Sequence, residues 1–186
     1  MSTPIHILGI SGSLRKGSLN TALLRNAAEL LPEGVTLEIY DIGEIPLYNG
    51  DIDVDGGPAP VRRFRQHIAG ADALLLAAPE YNYSFSGVLK NALDWASRPP
   101  QPPLNDKPLA IIGAGAGVGA SRAQLHLRQV AVYTNMHPLN KPEVQIARAW
   151  EKFDSEGRLT DPADREQLRA LVEALATWTR RLKGEV

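Results

Sequence analysis

The sequence predicts an α/β fold in which a parallel sheet is covered by helices on both faces. Three observations predict it. Short apolar runs alternate with segments of helical periodicity along the whole chain. Apart from Asp72, the run "ADALLLAA" (71–78) is continuously apolar, as suits a strand buried on both faces of a parallel sheet. Several apolar runs end in turns rich in polar residues or glycine, and in such sheets ligands bind beyond the carboxyl ends of the strands.

"IHILGI" (Ile5–Ile10) is the first strand, followed by the polar turn "SGSLRKGS". With Ser18 as N-cap, the spacing of Leu19, Leu23, Leu24, Ala27 and Leu31 predicts a helix. "VTLEIY" (Val35–Tyr40) is the second strand. The loop that follows, 41–57, is rich in Gly, Pro and Asp and long enough to suggest a role in function. A helix over Pro60–Ile68 leads to the third strand, 71–78, and Ser86–Ser97 forms the next helix. "RPPQPPLNDKP" ends that helix, because proline lacks the N–H and clashes with the preceding turn. "LAIIGAG" (109–115) is the fourth strand, Gly119–Val132 a helix, and a short strand is expected near Pro142–Ile146. Asp161 caps the last helix and Pro162 occupies its first turn; Leu168, Leu171, Val172, Leu175, Trp178 and Leu182 form the expected buried stripe. The proline-rich stretch reads as an internal loop, so residues 1–186 are expected to form one domain.

A length of 186 residues with 44% hydrophobic and 22% charged residues suits a globular chain with a sizeable core. The net charge of −1 argues against nucleic-acid and membrane-surface partners. No apolar run approaches the roughly 18 residues of a membrane span, and no signal peptide is visible, so a cytoplasmic protein is expected. With no cysteine there is no disulfide, thiolate or zinc–sulfur chemistry. His6, His67, His126 and His137 lack paired-ligand spacing, and "DSEGRLTD" lacks the acid spacing of a calcium loop, so no metal site is expected.

Three strand ends carry the candidate chemistry. In the first, Ser11, Ser13 and Ser18 offer hydroxyls, Asn20 an amide and Arg15 a forked cation ahead of a helix N-terminus, a set that suits a phosphate. A solvated turn with a serine N-cap is the plainer reading. In the second, "PEYNYS", backbone N–H groups beside Asn82 and the faces of Tyr81 and Tyr83 suit a planar heterocycle; the alternative is a turn with surface tyrosines. In the third, "GAGAGVGAS", Gly115 and Gly117 loosely match a dinucleotide fingerprint but follow the fourth strand rather than the first. Glycines there would let the backbone pass close to a flat ligand, or simply make a tight turn. Glu80 and Asp94 read more readily as ion-pair members than as catalytic acids. Trp95, Trp150 and Trp178 are core or interface candidates.

The stretches "GSLRKGSLN", "PEYNYSFSGVLKNALDW" and "HLRQV…NKPEV" resemble the NADPH-dependent FMN reductases, and within them the bacterial branch that includes quinone and chromate reductases. The resemblance runs from Ile5 to about Ile146 and more loosely beyond. It implies a flavodoxin-like three-layer sandwich with a five-stranded parallel sheet in the order 2-1-3-4-5. It implies bound FMN, with NADPH or NADH as hydride donor and quinones, flavins, azo dyes or chromate as acceptors. Ser11, Ser13, Leu14, Arg15, Ser18, Leu19 and Asn20 would hold the phosphate end. Pro79, Glu80, Tyr81, Asn82 and Tyr83 would hold one edge of the isoalloxazine, and Gly113, Ala114 and Gly115 would line its other side. No side chain is assigned a catalytic role, because flavin N5 would carry the chemistry. The resemblance also implies a homo-oligomer, a dimer or tetramer, with Tyr83, Arg122 and Glu143 as candidate interface groups. The short loops and absence of a second substrate domain predict one open flavin face used in turn, hence ping-pong kinetics. The alternatives are a flavodoxin-type electron carrier and a flavin-free scaffold, since fold alone does not decide function.

Overall fold

A computed structural model describes residues 3–185. The main parallel strands are β1 (Ile5–Ser11), β2 (Val35–Tyr40), β3 (Ala73–Ala77) and β6 (Pro108–Ala114). The fifth strand comes in two pieces, β7 (His137–Pro138) and β8 (Val144–Ile146), which pair with successive parts of β6. The spatial order is β2-β1-β3-β6-β7, with β8 also on β6, so the expected order 2-1-3-4-5 is found. The fifth strand breaks because the five residues 139–143 face only Ala110 and Ile111 of β6. Two short strands, β4 (Glu80–Tyr81) and β5 (Ser84–Phe85), form a separate antiparallel hairpin between β3 and the following helix.

Side-chain alternation along the strands feeds two cores. Ile5, Ile7, Leu75 and Ile112 face α1 (Leu19–Ala28) and α5 (Pro162–Leu182), whose Leu23, Leu24, Leu171 and Leu175 are buried against them. Leu8, Ile10, Leu74, Leu76 and Ile111 face α2 (Ala59–Gly70), α3 (Gly87–Ala96) and α4 (Ser121–Tyr133), which contribute Phe64, Leu89, Leu93 and Leu127. The central strands are therefore apolar on both faces, which is why "ADALLLAA" carries no polar alternation.

Three local expectations change. Leu182 is exposed, and Thr179 takes the inward place, donating its hydroxyl to the Leu175 carbonyl. Trp178 is half-buried, with Nε1 donating to the His137 carbonyl at 2.9 Å. The helix expected from Gly119 begins at Ser121, because Gly119 (φ +57°) and Ala120 (φ +66°) are left-handed. Trp95 is a core residue; its Nε1 donates to the Pro46 carbonyl at 2.8 Å. With Asn91, which bonds the backbone of Pro46 and Tyr48, it ties the long 41–57 loop to α3.

Candidate active site

The first loop joins β1 to α1. Ser18 caps α1, its hydroxyl accepting from the Thr21 N–H at 3.3 Å. The Ser11 hydroxyl accepts from Thr21 Oγ1 at 2.8 Å and from the Ser13 N–H at 3.3 Å. These bonds fold the loop so that its next residues, Leu14, Arg15 and Lys16, stand exposed. The first turn of α1 adds N–H groups and the positive end of the helix dipole. A cavity of about 290 Å³ lies against this loop, lined by Ser11, Ser13, Arg15 and Lys16, by Thr21 and Arg25 of α1, and by Asp41. Among the described residues, Arg15, Lys16 and Arg25 enter no ion pair. Lys16 and Arg25 escape a reading of the motif alone. The signal for Arg25 is its position four residues after Thr21, on the same face of α1.

The Asn20 side chain is buried and doubly bonded to Ala114: Nδ2 donates to the carbonyl at 2.9 Å, and Oδ1 accepts the N–H at 3.0 Å. It staples α1 to the end of β6, with its amide engaged on the Ala114 backbone. Leu19 packs against the core beneath the loop.

The second loop is the β4–β5 hairpin, turned by Asn82 (φ +49°) and Tyr83 (φ +65°). Two successive positive φ values are the geometry of a two-residue type I′ turn, and a tyrosine there is strained. The brace is Arg122: its guanidinium carbon lies 3.9 Å from the Tyr83 ring centroid, and Nη1 donates to Glu80 Oε1 at 2.7 Å. Glu80 in turn accepts the backbone N–H groups of Arg122 (3.0 Å) and Ala123 (3.3 Å). It thereby caps α4, whose own N-cap position, Ala120, has no side-chain cap bond. Burial pushes the Glu80 carboxyl up. The Arg122 guanidinium and the two N–H groups outweigh this and hold it below the usual carboxylate range. Glu80 therefore acts on α4, as an ion-pair member and cap, and leaves the hairpin backbone and the exposed Tyr81 and Tyr83 to face outward. Asp94 forms an ordinary helix pair with Lys90 at 2.6 Å. Tyr83 and Arg122, expected at an interface, pair with each other, while Glu143 pairs with Lys141 at 3.3 Å.

In the third loop the close approaches are to the protein itself. A Cβ on Gly119 would lie 2.3 Å from the Gln145 carbonyl carbon, and one on Gly113 would lie 2.8 Å from the Ala120 Cβ. These glycines let the loop fold onto β8 and α4. Gly113 and Ala114 are buried; Gly115 is half-buried, and Ala116, Gly117 and Val118 are exposed. The loop is also held from the far strand, where the N–H groups of Arg148 and Ala149 donate to the carbonyls of Ala116 and Gly115. That tie brings the exposed Trp150 to the same end of the sheet, a placement its sequence context does not reveal.

The first two loops meet at Gly12. The Ser86 hydroxyl donates to its carbonyl at 2.6 Å, and a Cβ there would lie 2.8 Å from Pro79 Cδ. A hydroxyl-rich, cation-bearing turn is thus fixed directly beside a rigid aromatic hairpin, beyond the carboxyl ends of β1 and β3.

A model of the NADPH-dependent FMN reductase family matches residues 5–151. An NAD(P)H-dependent FMN reductase of Pseudomonas aeruginosa is 56% identical over 185 residues, covering 99% of this chain and 100% of the relative. An NADPH:quinone oxidoreductase of Arabidopsis thaliana is 47% identical, with 97% and 95% covered. Among solved structures, the flavoenzyme NAD(P)H:(acceptor) oxidoreductase FerB of Paracoccus denitrificans superposes with a TM-score of 0.85 at 33% identity, covering 95% of this chain and 98% of its own.

Proposed function

The chain belongs to the NADPH-dependent FMN reductase family, and on that premise we propose that its three loops hold FMN and that its acceptors are quinones and similar small molecules. It is an FMN-dependent oxidoreductase of NAD(P)H. FMN, when bound, supplies the two-electron chemistry that couples NAD(P)H oxidation to reduction of an acceptor.

The donor set fits a flavin mononucleotide. Ser11, Ser13, Ser18 and Arg15, with the N-terminus of α1, suit a phosphomonoester dianion. The backbone from Pro79 to Tyr83 suits one edge of a flat ring, and Gly115, with Gly113 and Ala114 packed behind it, the other. Leu14, exposed beside Gly43, adds apolar surface at the phosphate end, and Leu19 and Asn20 hold that end from behind. The chain's own work is to bind, to orient and to keep one ring face open, where the nicotinamide and the acceptor take turns.

The observation that carries this reading is the junction at Gly12, which fixes the phosphate-type loop against the aromatic hairpin. The test is to titrate the purified protein with FMN, then follow NADPH oxidation with and without benzoquinone. Expected are stoichiometric FMN binding, quinone-dependent turnover and parallel double-reciprocal plots. FMN binding without NADPH oxidation would leave the electron-carrier reading, and no FMN binding would leave the scaffold. Intersecting plots would overturn the shared face alone.

We infer further that the protein is a cytoplasmic homo-oligomer, a dimer or tetramer, built as one domain. Among the described residues no helix is long and apolar enough to cross a membrane. Support for assembly comes from α4, where Leu125 (62% exposed), Val132 (82%) and Tyr133 (82%) share one face. A monomer mass by light scattering at micromolar concentration would overturn the oligomer.

A further inference from the structure

The cavity beside the first loop holds more positive charge than one flavin phosphate uses. A phosphomonoester carries about 1.5–2 negative charges at neutral pH. Arg15 (+1) and the N-terminus of α1 (about +0.5) nearly match it. Lys16 and Arg25 line the same cavity, which Asp41 also lines. Two cations less one carboxylate leave a net charge of +1 with no ion-pair partner among the described residues. Asp41 is itself engaged, accepting the Gly43 N–H at 2.8 Å.

The placement is built by the fold. Helical side chains lean toward the helix N-terminus, so Arg25 projects over Thr21 toward the loop. Tyr40 and Asp41, at the end of β2, bound the far side of the cavity. Lys16 and Arg25 thus reach a single 290 Å³ space from two different elements, next to the loop that fits the FMN phosphate. Two unpaired cations converging on one cavity suit an anion. On the reading of the protein as an NAD(P)H oxidoreductase, the second anion delivered to this edge comes with the hydride donor.

We propose that Lys16 and Arg25 bind the 2′-phosphate of NADPH and make the enzyme select NADPH over NADH. NADH carries a hydroxyl at that position and brings no charge to the pair. The inference rests on the functional reading above. It is separable from it, because the donors are compared within an active enzyme.

The test uses FMN-loaded protein and the variants Lys16→Met and Arg25→Met, singly and combined, each checked for retained FMN. The wild type is expected to favour NADPH in kcat/KM by about ten- to a hundredfold, the size of a charge-assisted hydrogen bond. The double variant should bring the NADPH/NADH ratio close to one, mainly through KM for NADPH. By calorimetry, 2′,5′-ADP should bind the wild type more tightly than 5′-AMP, and the variants should erase the difference. Several results would overturn the proposal: a wild type that uses both donors equally, an unchanged donor ratio in the variants, or equal losses for NADPH and NADH. Loss of FMN affinity with the donor ratio unchanged would assign these cations to the flavin phosphate. A wild type that binds FMN yet oxidises neither donor would instead sink the oxidoreductase reading.

Discussion

The first loop and the hairpin lie side by side and treat charge in opposite ways. Around the first loop, Arg15, Lys16 and Arg25 are exposed and enter no ion pair among the described residues. At the hairpin, the Arg122 guanidinium pairs with Glu80 and stacks on Tyr83, and the Glu80 carboxylate also caps α4. An unpaired cation keeps its interaction energy for a ligand. A paired one puts it into holding the backbone, here a strained type I′ turn with tyrosine at a positive φ. The difference separates residues that bind from residues that build.

The most severe way to break this division is to disturb the joint the two regions share. Gly12→Ala places a Cβ 2.8 Å from Pro79 Cδ and 2.9 Å from Ser86 Oγ. Overpacking of this kind costs roughly 1–3 kcal/mol, so both unfolding stability and FMN affinity should fall. Urea denaturation and flavin fluorescence titration on the same preparation check it; a loss in only one would mean that the loops are independent.

Arg15→Ala tests the binding side alone. FMN affinity should drop about ten- to a hundredfold, while the stability of the FMN-free protein stays within about 0.5 kcal/mol of the parent. Unchanged affinity would remove Arg15 from the phosphate site.

Glu80→Ala tests the building side. Loss of a cap and an ion-pair partner should lower the stability of the FMN-free protein by roughly 1–2 kcal/mol. If urea denaturation shows no change, the Glu80–Arg122 brace is decorative.

The smallest effect is the pH dependence of that brace. The folded-state pKa of Glu80 is depressed, so the carboxylate contributes stability that is present above the ordinary glutamate value of about 4.3. The contribution fades as pH falls through that value toward the lower folded-state one. Between pH 6 and pH 3, Glu80→Gln should lose less stability than the parent. Parallel curves would show that Glu80 does not titrate with folding.

The three stretches carrying the sequence motifs indeed meet at one end of the sheet, but the motifs do not say which atoms face out. Asn20 lies inside "GSLRKGSLN", yet its amide bonds the backbone of Ala114, 94 residues away in sequence. The glycines of the third loop also make room for the protein itself: Gly119 for the backbone of the fifth strand at Gln145, and Gly113 for Ala120 at the start of α4, approaches that periodicity does not show. Arg25 belongs to the helix pattern by sequence and to the cavity by position.

The sequence by itself determined the α/β class, the continuous strands buried on both faces, the helix caps at Ser18 and Asp161, and the loops that carry polar groups. These follow from local propensity and periodicity, which act over a few residues. The tertiary structure alone decided the split fifth strand, the Glu80 cap on a helix that starts 41 residues later at Ser121, and which cations found partners. Those outcomes depend on distances between segments remote in the chain. A hydrogen bond or ion pair forms only within about 3–4 Å, a scale that the order of residues does not encode.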